Sequence, residues 1–248
     1  MSKGNVYDDI CHFCETGKKA VAWLIDPDRY DKTTLEKLKA NGLTPHFIFV
    51  GGSLVGADTD AVIRDIKRIT GDSSRVLIFP GDYSQLSASA DALLLLSLVS
   101  GRNPEYLIGQ HVKAAPHIRK IGLETIPTAY MLIDGGRKTS VEYISATAPI
   151  PADKTDIAQA TAMAAEMLGM KAIYLEAGSG ALRPVEAEMI EAVKRVTNVP
   201  LMVGGGLRSP SSIRKAFGAG ADIVVVGTAI ERDPDTAEQI LRKDSAWS

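Results

Sequence analysis

Residues 201–228, LMVGGGLRSPSSIRKAFGAGADIVVVGT, hold two short apolar runs that each stop at glycine. Leu201–Val203 ends in Gly204-Gly205-Gly206, and Ile223–Val226 ends in Gly227. Between them, Ser209–Gly218 opens with Ser-Pro and carries helical spacing. The pattern predicts strand, glycine turn, helix, strand, glycine turn. Glycine directly after a strand lets the backbone approach a ligand closely. The N–H groups of such a turn, with the next helix N-terminus, favour an anion. Two consecutive turns of this kind near the end of a chain are where a (β/α)8 barrel commonly holds a phosphate.

The remaining chain fits that architecture. Its 248 residues are a typical barrel length and are read as one domain over 1–248. Apolar strands are predicted at 21–26, 46–50, 75–79, 92–96, 125–133 and 171–176, ahead of the two already described. Amphipathic segments between them predict helices at 5–19, 58–70, 103–120, 156–168, 184–197 and 233–242, with a short one capped by Thr33 or Thr34. Pro116 should kink or interrupt the 103–120 helix. The stretch after residue 133, up to the helix at 156, reads as a long polar loop. Only Asp82–Ala90 separates the third strand from the fourth. A parallel crossover usually needs a dozen or more residues, so the fold class is an α/β TIM barrel whose third crossover helix is short or missing.

Charge and composition exclude some classes of function. The net charge is −2, which argues against a nucleic-acid partner bound through bulk positive charge. No apolar run approaches the roughly 20 residues of a membrane span. The N-terminus lacks a signal-peptide apolar core, so no export is expected and a cytoplasmic location is the expectation. Cys11 and Cys14 form a lone Cys-x-x-Cys pair, read as two reduced thiols on the first helix. The histidines at 12, 46, 111 and 117 form no metal-spaced set and are read as structural or solvent-facing.

Two strand ends carry candidate chemistry. Asp26-Pro27-Asp28 closes the first strand, and carboxylate oxygens suit Mg2+ alongside substrate phosphates. The same string reads equally as a capping turn. Ser53, ending Gly51-Gly52-Ser53 on the second strand, could bring a hydroxyl to the same cation. The string Tyr174-Leu175-Glu176-Ala177-Gly178-Ser179-Gly180 is more informative. Alternation puts Tyr174 and Glu176 on one face. A carboxylate there can accept a hydroxyl proton while a tyrosine orients or donates. Tyr130, at the end of the fifth strand, could offer an aromatic face to a cation or an apolar tail, or simply pack in the core.

Taken in order, LIDPD at 24–28, FVGGS at 49–53, DALL at 91–94, LIGQH at 107–111, IPTAY at 126–130, YLEAGSG at 174–180, VGGG at 203–206 and Gly227-Thr228 resemble the geranylgeranylglyceryl phosphate synthase family, especially its second large branch. The resemblance implies a Mg2+-dependent prenyltransferase. It would join sn-glycerol 1-phosphate to a prenyl diphosphate, usually geranylgeranyl diphosphate, giving an ether-lipid precursor and diphosphate. By motif, Asp26 and Ser53 take the magnesium positions. Tyr174, Leu175, Glu176, Ala177, Gly178, Ser179, Gly180, Gly205, Gly206, Gly227 and Thr228 take the glycerol-phosphate positions. Glu176 becomes the candidate base, with Tyr174 orienting the hydroxyl. The resemblance also implies a homo-oligomer, dimer or hexamer. The chain departs from the family at Arg29, where lysine is usual, and at Leu24, where another branch carries lysine.

Two other readings share the glycine turns: a phosphosugar isomerase or lyase on the same barrel, and a non-catalytic protein that binds a phosphometabolite. Magnesium dependence and turnover of a prenyl diphosphate separate them. Tyr83, Leu98 and Tyr106 are candidate walls for a prenyl tail.

Overall fold

Alternate residues of the apolar runs face two separate cores. One set fills a closed barrel and the other packs against the surrounding helices. The computed structural model describes residues 4–232 and 234–242. Its strands are β1 (Ala20–Ile25), β2 (Phe47–Val50), β3 (Arg75–Ile78), β4 (Ala92–Leu98), β5 (Glu124–Leu132), β6 (Ala172–Glu176), β7 (Leu201–Gly204) and β8 (Ile223–Val226). All pair in parallel with their sequence neighbours, and β1 pairs with β8 to close the barrel. Burial on both faces is why these strands read as unbroken apolar runs. Phe47, Phe49, Leu94 and Tyr174 point inward. Ile48, Met131 and Leu175 point outward, beneath the helices, and Leu93 points outward as well.

The helices are α1 (Val6–Glu15), α2 (Lys32–Ala40), α3 (Thr59–Thr70), α4 (Gln110–Ile121), α5 (Ser140–Ser145), α6 (Thr155–Met167), α7 (Ala187–Val196), α8 (Pro210–Gly218), α9 (Thr228–Arg232) and α10 (Pro234–Arg242). Several of them start at side-chain caps. Asp58 accepts from the Ala61 N–H, and Ser209 forms a capping box with Ser212. The cap of α2 is Asp31 rather than Thr33 or Thr34, because its carboxylate accepts both their N–H groups.

Several expectations need correction. Helix α4 is not interrupted at Pro116, which lies inside it. The N–H that proline lacks would have bonded the carbonyl of Val112, which is exposed, so the unpaired carbonyl is open to solvent. The irregularity lies upstream, in a π turn at Glu105–Gly109. Helix α7 starts at Ala187 and not at Pro184, which belongs to the loop packed on Gly206. The polar stretch after β5 contains the short helix α5 and a bridge between Ile133 and Ile150. The expected last helix is present as α10, preceded by the further short helix α9, and Asp233, its expected start, lies outside the described residues.

The third crossover holds no helix among the described residues between β3 and β4. Gln85 orders this loop instead. Its Nε2 donates to the Gly52 carbonyl at 2.9 Å, and its Oε1 accepts from the Gly81 N–H at 3.2 Å. The outward residues Leu93 and Leu95 of β4 therefore lack the usual covering helix. Among the described residues no helix is long and apolar enough to cross a membrane.

Candidate active site

The C-terminal ends of the strands surround a cavity of about 520 Å3. Its floor is an aromatic cluster from β2, β3, β5 and β6. Phe49 stacks on Phe79 with centroids 6.2 Å apart, and Phe79 meets the Tyr174 ring at 5.1 Å. Tyr130 and Tyr174 lie side by side on paired strands, stacked at 5.5 Å.

Glu176 ends β6 on the inward face shared with Tyr174, as strand alternation predicts. Its Oε1 accepts the Gly178 N–H at 2.6 Å. Burial pushes its carboxyl up to about 7, while the Gly178 N–H and the phenols of Tyr174 and Tyr130 hold it down in part. Burial, followed by the nearby Glu176 charge, raises both tyrosines well above their ordinary value. The Tyr174 hydroxyl feels that charge but meets no partner at hydrogen-bonding geometry. A buried, unsatisfied hydroxyl on a cavity wall is unusual and is suited to a ligand.

The glycine turns make this arrangement possible. A Cβ on Gly204 would lie 2.0 Å from the Tyr174 hydroxyl. A Cβ on Gly205, whose φ is +83°, would lie 2.3 Å from Glu176 Oε1 and 2.6 Å from the Gly178 nitrogen. Ser179, Gly180, Gly205, Gly206, Gly227 and Thr228 all line the same end of the cavity. Leu175 and Ala177 do not. Their side chains are buried in the outer layer, which leaves only their backbone to face a ligand. Gly178 is also absent from the wall, with its N–H already given to Glu176.

Asp26 follows β1, which pairs with β8 and so brings it next to the Gly227 turn, and Ser53 follows β2; both line the cavity. Asp26 is both a candidate ligand and a cap, since its Oδ1 accepts the Asp28 N–H at 3.0 Å. Its Oδ2 faces Arg29 Nε at 3.6 Å. Among the described residues, no cluster of three His, Cys, Asp or Glu side chains could hold a metal. A cation here would have to draw further oxygens from substrate and water. The wall nevertheless suits one. It carries the carboxylates of Asp26, Asp82, Glu176 and Glu231 against only Arg29 and Arg208. Added positive charge would ease the approach of a phosphorylated ligand to such a wall. Asp26 and Ser53 supply hard oxygen donors of the kind Mg2+ takes together with phosphate oxygens.

From this mouth the cavity continues toward the helixless side. Leu93 and Leu95 from the outside of β4, Ala114 from α4, and Leu86 from the third crossover line it. Tyr83, Leu98 and Tyr106 line it too, in agreement with the sequence reading. The result is one space with a polar, glycine-rich end and an apolar arm.

Sequence reasoning missed three wall residues. Arg208 follows the glycine turn, and its Nη2 donates to the Ala181 carbonyl at 2.6 Å. Glu231 comes from α9 and accepts the Asp26 N–H at 3.3 Å. His111, expected to be structural or solvent-facing, lines the cavity with a buried, unpartnered Nδ1, and burial lowers its pKa. His46 does fit a structural role, packed between Phe13 and Phe47 in tilted and edge-on contacts. Cys11 and Cys14 are free thiols on α1.

The sequence matches the PcrB family over residues 16–244. It is 49% identical to geranylgeranylglyceryl phosphate synthase of Spirosoma linguale, over 91% of each chain. It is 46% identical to the protein of that name from Chitinophaga pinensis, over 95% of this chain and 94% of the other. Among solved structures, (S)-3-O-geranylgeranylglyceryl phosphate synthase of Thermoplasma acidophilum in complex with sn-glycerol-1-phosphate is similar, with a TM-score of 0.89 and 32% identity. That match covers 98% of this chain and 100% of the other.

Proposed function

Because the chain belongs to the PcrB family, we propose that its cavity joins sn-glycerol 1-phosphate to geranylgeranyl diphosphate or a related prenyl diphosphate. The protein is a prenyltransferase, and its product is an ether-lipid precursor. One observation carries the mechanism. The buried Glu176 carboxylate, poised near neutral pH, stands beside the unpartnered Tyr174 hydroxyl, between the glycine turns and the apolar arm.

Gly205, Gly206, Gly227, Thr228 and the Ser179-Gly180 turn cradle the phosphate of sn-glycerol 1-phosphate through backbone N–H and hydroxyl groups. Tyr174 hydrogen-bonds the glycerol and sets the attacking hydroxyl toward Glu176. That oxygen forms a bond to the allylic carbon. The bond from this carbon to the diphosphate oxygen breaks, and its electron pair leaves with diphosphate. Glu176 takes the hydroxyl proton. Tyr130 turns its ring toward the allylic carbon as positive charge builds there. Asp26 and Ser53 would hold Mg2+, which when bound would supply positive charge to the leaving diphosphate. The prenyl tail lies along Leu93, Leu95 and Ala114 in the space an ordinary third crossover helix would fill.

Free thiols at Cys11 and Cys14 fit a reducing cytoplasm. The homo-oligomer expected by resemblance finds support on α6, where Ile157, Met163 and Met167 are exposed on the outside of the barrel. Sedimentation analysis tests that assembly.

The deciding experiment is a turnover assay with Mg2+, prenyl diphosphates of several lengths, and either enantiomer of glycerol phosphate. Product from the sn-1 isomer alone, abolished by EDTA, is the expected result. Folded protein that binds glycerol phosphate yet makes no product at any tail length would favour a phosphosugar enzyme or a binding protein.

A further inference from the structure

Arg29 follows the Asp26-Pro27-Asp28 string, and its surroundings give it a role. It ends a rigid 3-10 turn at Pro27–Arg29, anchored by the Arg29 N–H on the Asp26 carbonyl at 2.9 Å. From there the guanidinium reaches over the cavity wall. It stands 3.6 Å from Asp26 Oδ2 and 3.8 Å from Glu231 Oε2. Neither contact is close enough for a hydrogen bond, and the side chain is 59% exposed. Exposed ion pairs of this kind contribute little and exchange easily. A guanidinium on a fixed stem, weakly held between two carboxylates, is a cation in waiting.

The wall has only one other cation among the described residues. Arg208 is committed to the Ala181 carbonyl, at the glycine-turn end where glycerol phosphate is placed. The diphosphate end would otherwise present Asp26, Glu231 and Asp82 to a multiply charged anion. We propose that Arg29 is the diphosphate clamp of this enzyme, and that Asp26 and Glu231 hold it in store until the diphosphate arrives. The proposal rests on the transferase reading above and assigns the leaving-group side of the same cavity. Arginine suits the task better than lysine, because its planar fork can meet two phosphate oxygens at once. Glu231 competes with the diphosphate for that fork, which gives the proposal a distinctive sign.

The test is calorimetric titration of the full chain with inorganic pyrophosphate, once in EDTA and once in Mg2+. Arg29→Gln should weaken pyrophosphate binding about tenfold or more in both buffers, as expected for loss of a charge-assisted contact. Arg29→Lys should recover only part of that loss. Glu231→Gln should bind pyrophosphate several-fold more tightly than wild type in EDTA, because the carboxylate no longer holds the guanidinium. In turnover, Arg29→Gln should raise KM for the prenyl diphosphate and leave KM for sn-glycerol 1-phosphate unchanged. Unchanged pyrophosphate affinity in Arg29→Gln, or no tightening in Glu231→Gln, overturns the clamp while wild-type turnover keeps the transferase reading intact. A wild-type chain that neither binds pyrophosphate in either buffer nor makes product overturns both. Thermal melts of the variants serve as folding controls, and the exposure of Arg29 favours intact folding.

Discussion

The carboxylate of Asp28 accepts the backbone N–H of Ala57 at 2.7 Å, and it also accepts that of Gly56 at 3.1 Å. The first strand's turn thereby holds the loop that carries Ser53. The DPD string divides its labour: Asp26 faces the cavity, and Asp28 fixes the neighbouring wall. Asp28→Ala should cost about 1 kcal/mol of stability, since charge-assisted bonds at an exposed site are discounted by water. It should also raise the Mg2+ concentration needed for half-maximal turnover, while KM for sn-glycerol 1-phosphate stays near wild type. A magnesium titration of the variant, set beside its thermal melt, checks both effects.

Glu176 makes pH a probe of the site. Its carboxyl sits near 7 in the folded chain and near 4.5 when unfolded. Between those values the folded state binds the additional proton, so stability falls as pH rises from about 4.5 through 7. The loss across that window is about 3 kcal/mol from this one group. Glu176→Gln removes the effect, so its stability relative to wild type should improve steadily from pH 5 to pH 8. Activity should run the opposite way. Wild-type kcat/KM should rise with pH to a bend near 7, as the base loses its proton, and Glu176→Gln should lose about 10²- to 10⁴-fold in kcat. Denaturation at a series of pH values and a pH–rate profile read the two halves separately.

Much of this was legible in the chain itself. Strands buried on both faces leave apolar runs, and glycine stops marked their C-terminal ends at Gly204 and Gly227. Alternation placed Tyr174 and Glu176 together, and the nine residues Asp82–Ala90 exposed the missing crossover helix. What stayed hidden depends on closure of the barrel. Nothing local marks Glu231, which meets Asp26 only because β8 returns to pair with β1. Arg208 acts through a carbonyl 27 positions away. Helix α5 has a single turn's worth of apolar spacing, too little to stand out from a polar loop. Pro116 misled because solvent on its side of α4 tolerates the lost hydrogen bond.

Gly205 offers a steric test of the carboxylate's setting. A methyl group there would meet Glu176 Oε1 at 2.3 Å and the backbone nitrogens of Gly178 and Ala177 at 2.6 and 2.8 Å. Its φ of +83° is also unfavourable for any side chain. Gly205→Ala should therefore cost about 2 kcal/mol or more from overpacking and strain. Because the shift falls on both the base and the phosphate cradle, kcat should drop and KM for sn-glycerol 1-phosphate should rise together. Gly218→Ala is the control, since a methyl group there meets nothing within 4 Å. Melting temperatures and steady-state kinetics of the pair distinguish site damage from a general cost of losing glycine.

The apolar arm predicts a change in tail preference that leaves the polar end untouched. Ala114 is almost fully buried on α4 and lines the arm where the third crossover lacks a helix, opposite the polar end at Glu176. Ala114→Phe should fill part of that space from the wall inward. A long prenyl chain must pass the site, whereas a short one stops before it. kcat/KM for geranylgeranyl diphosphate should fall about tenfold or more, in line with the cost of misfit in an apolar pocket. The value for a ten-carbon diphosphate should stay within about twofold, and KM for sn-glycerol 1-phosphate should not move. Equal loss for both tail lengths would mean that the tail takes another route, because a block in the arm discriminates by length and general damage to the fold does not.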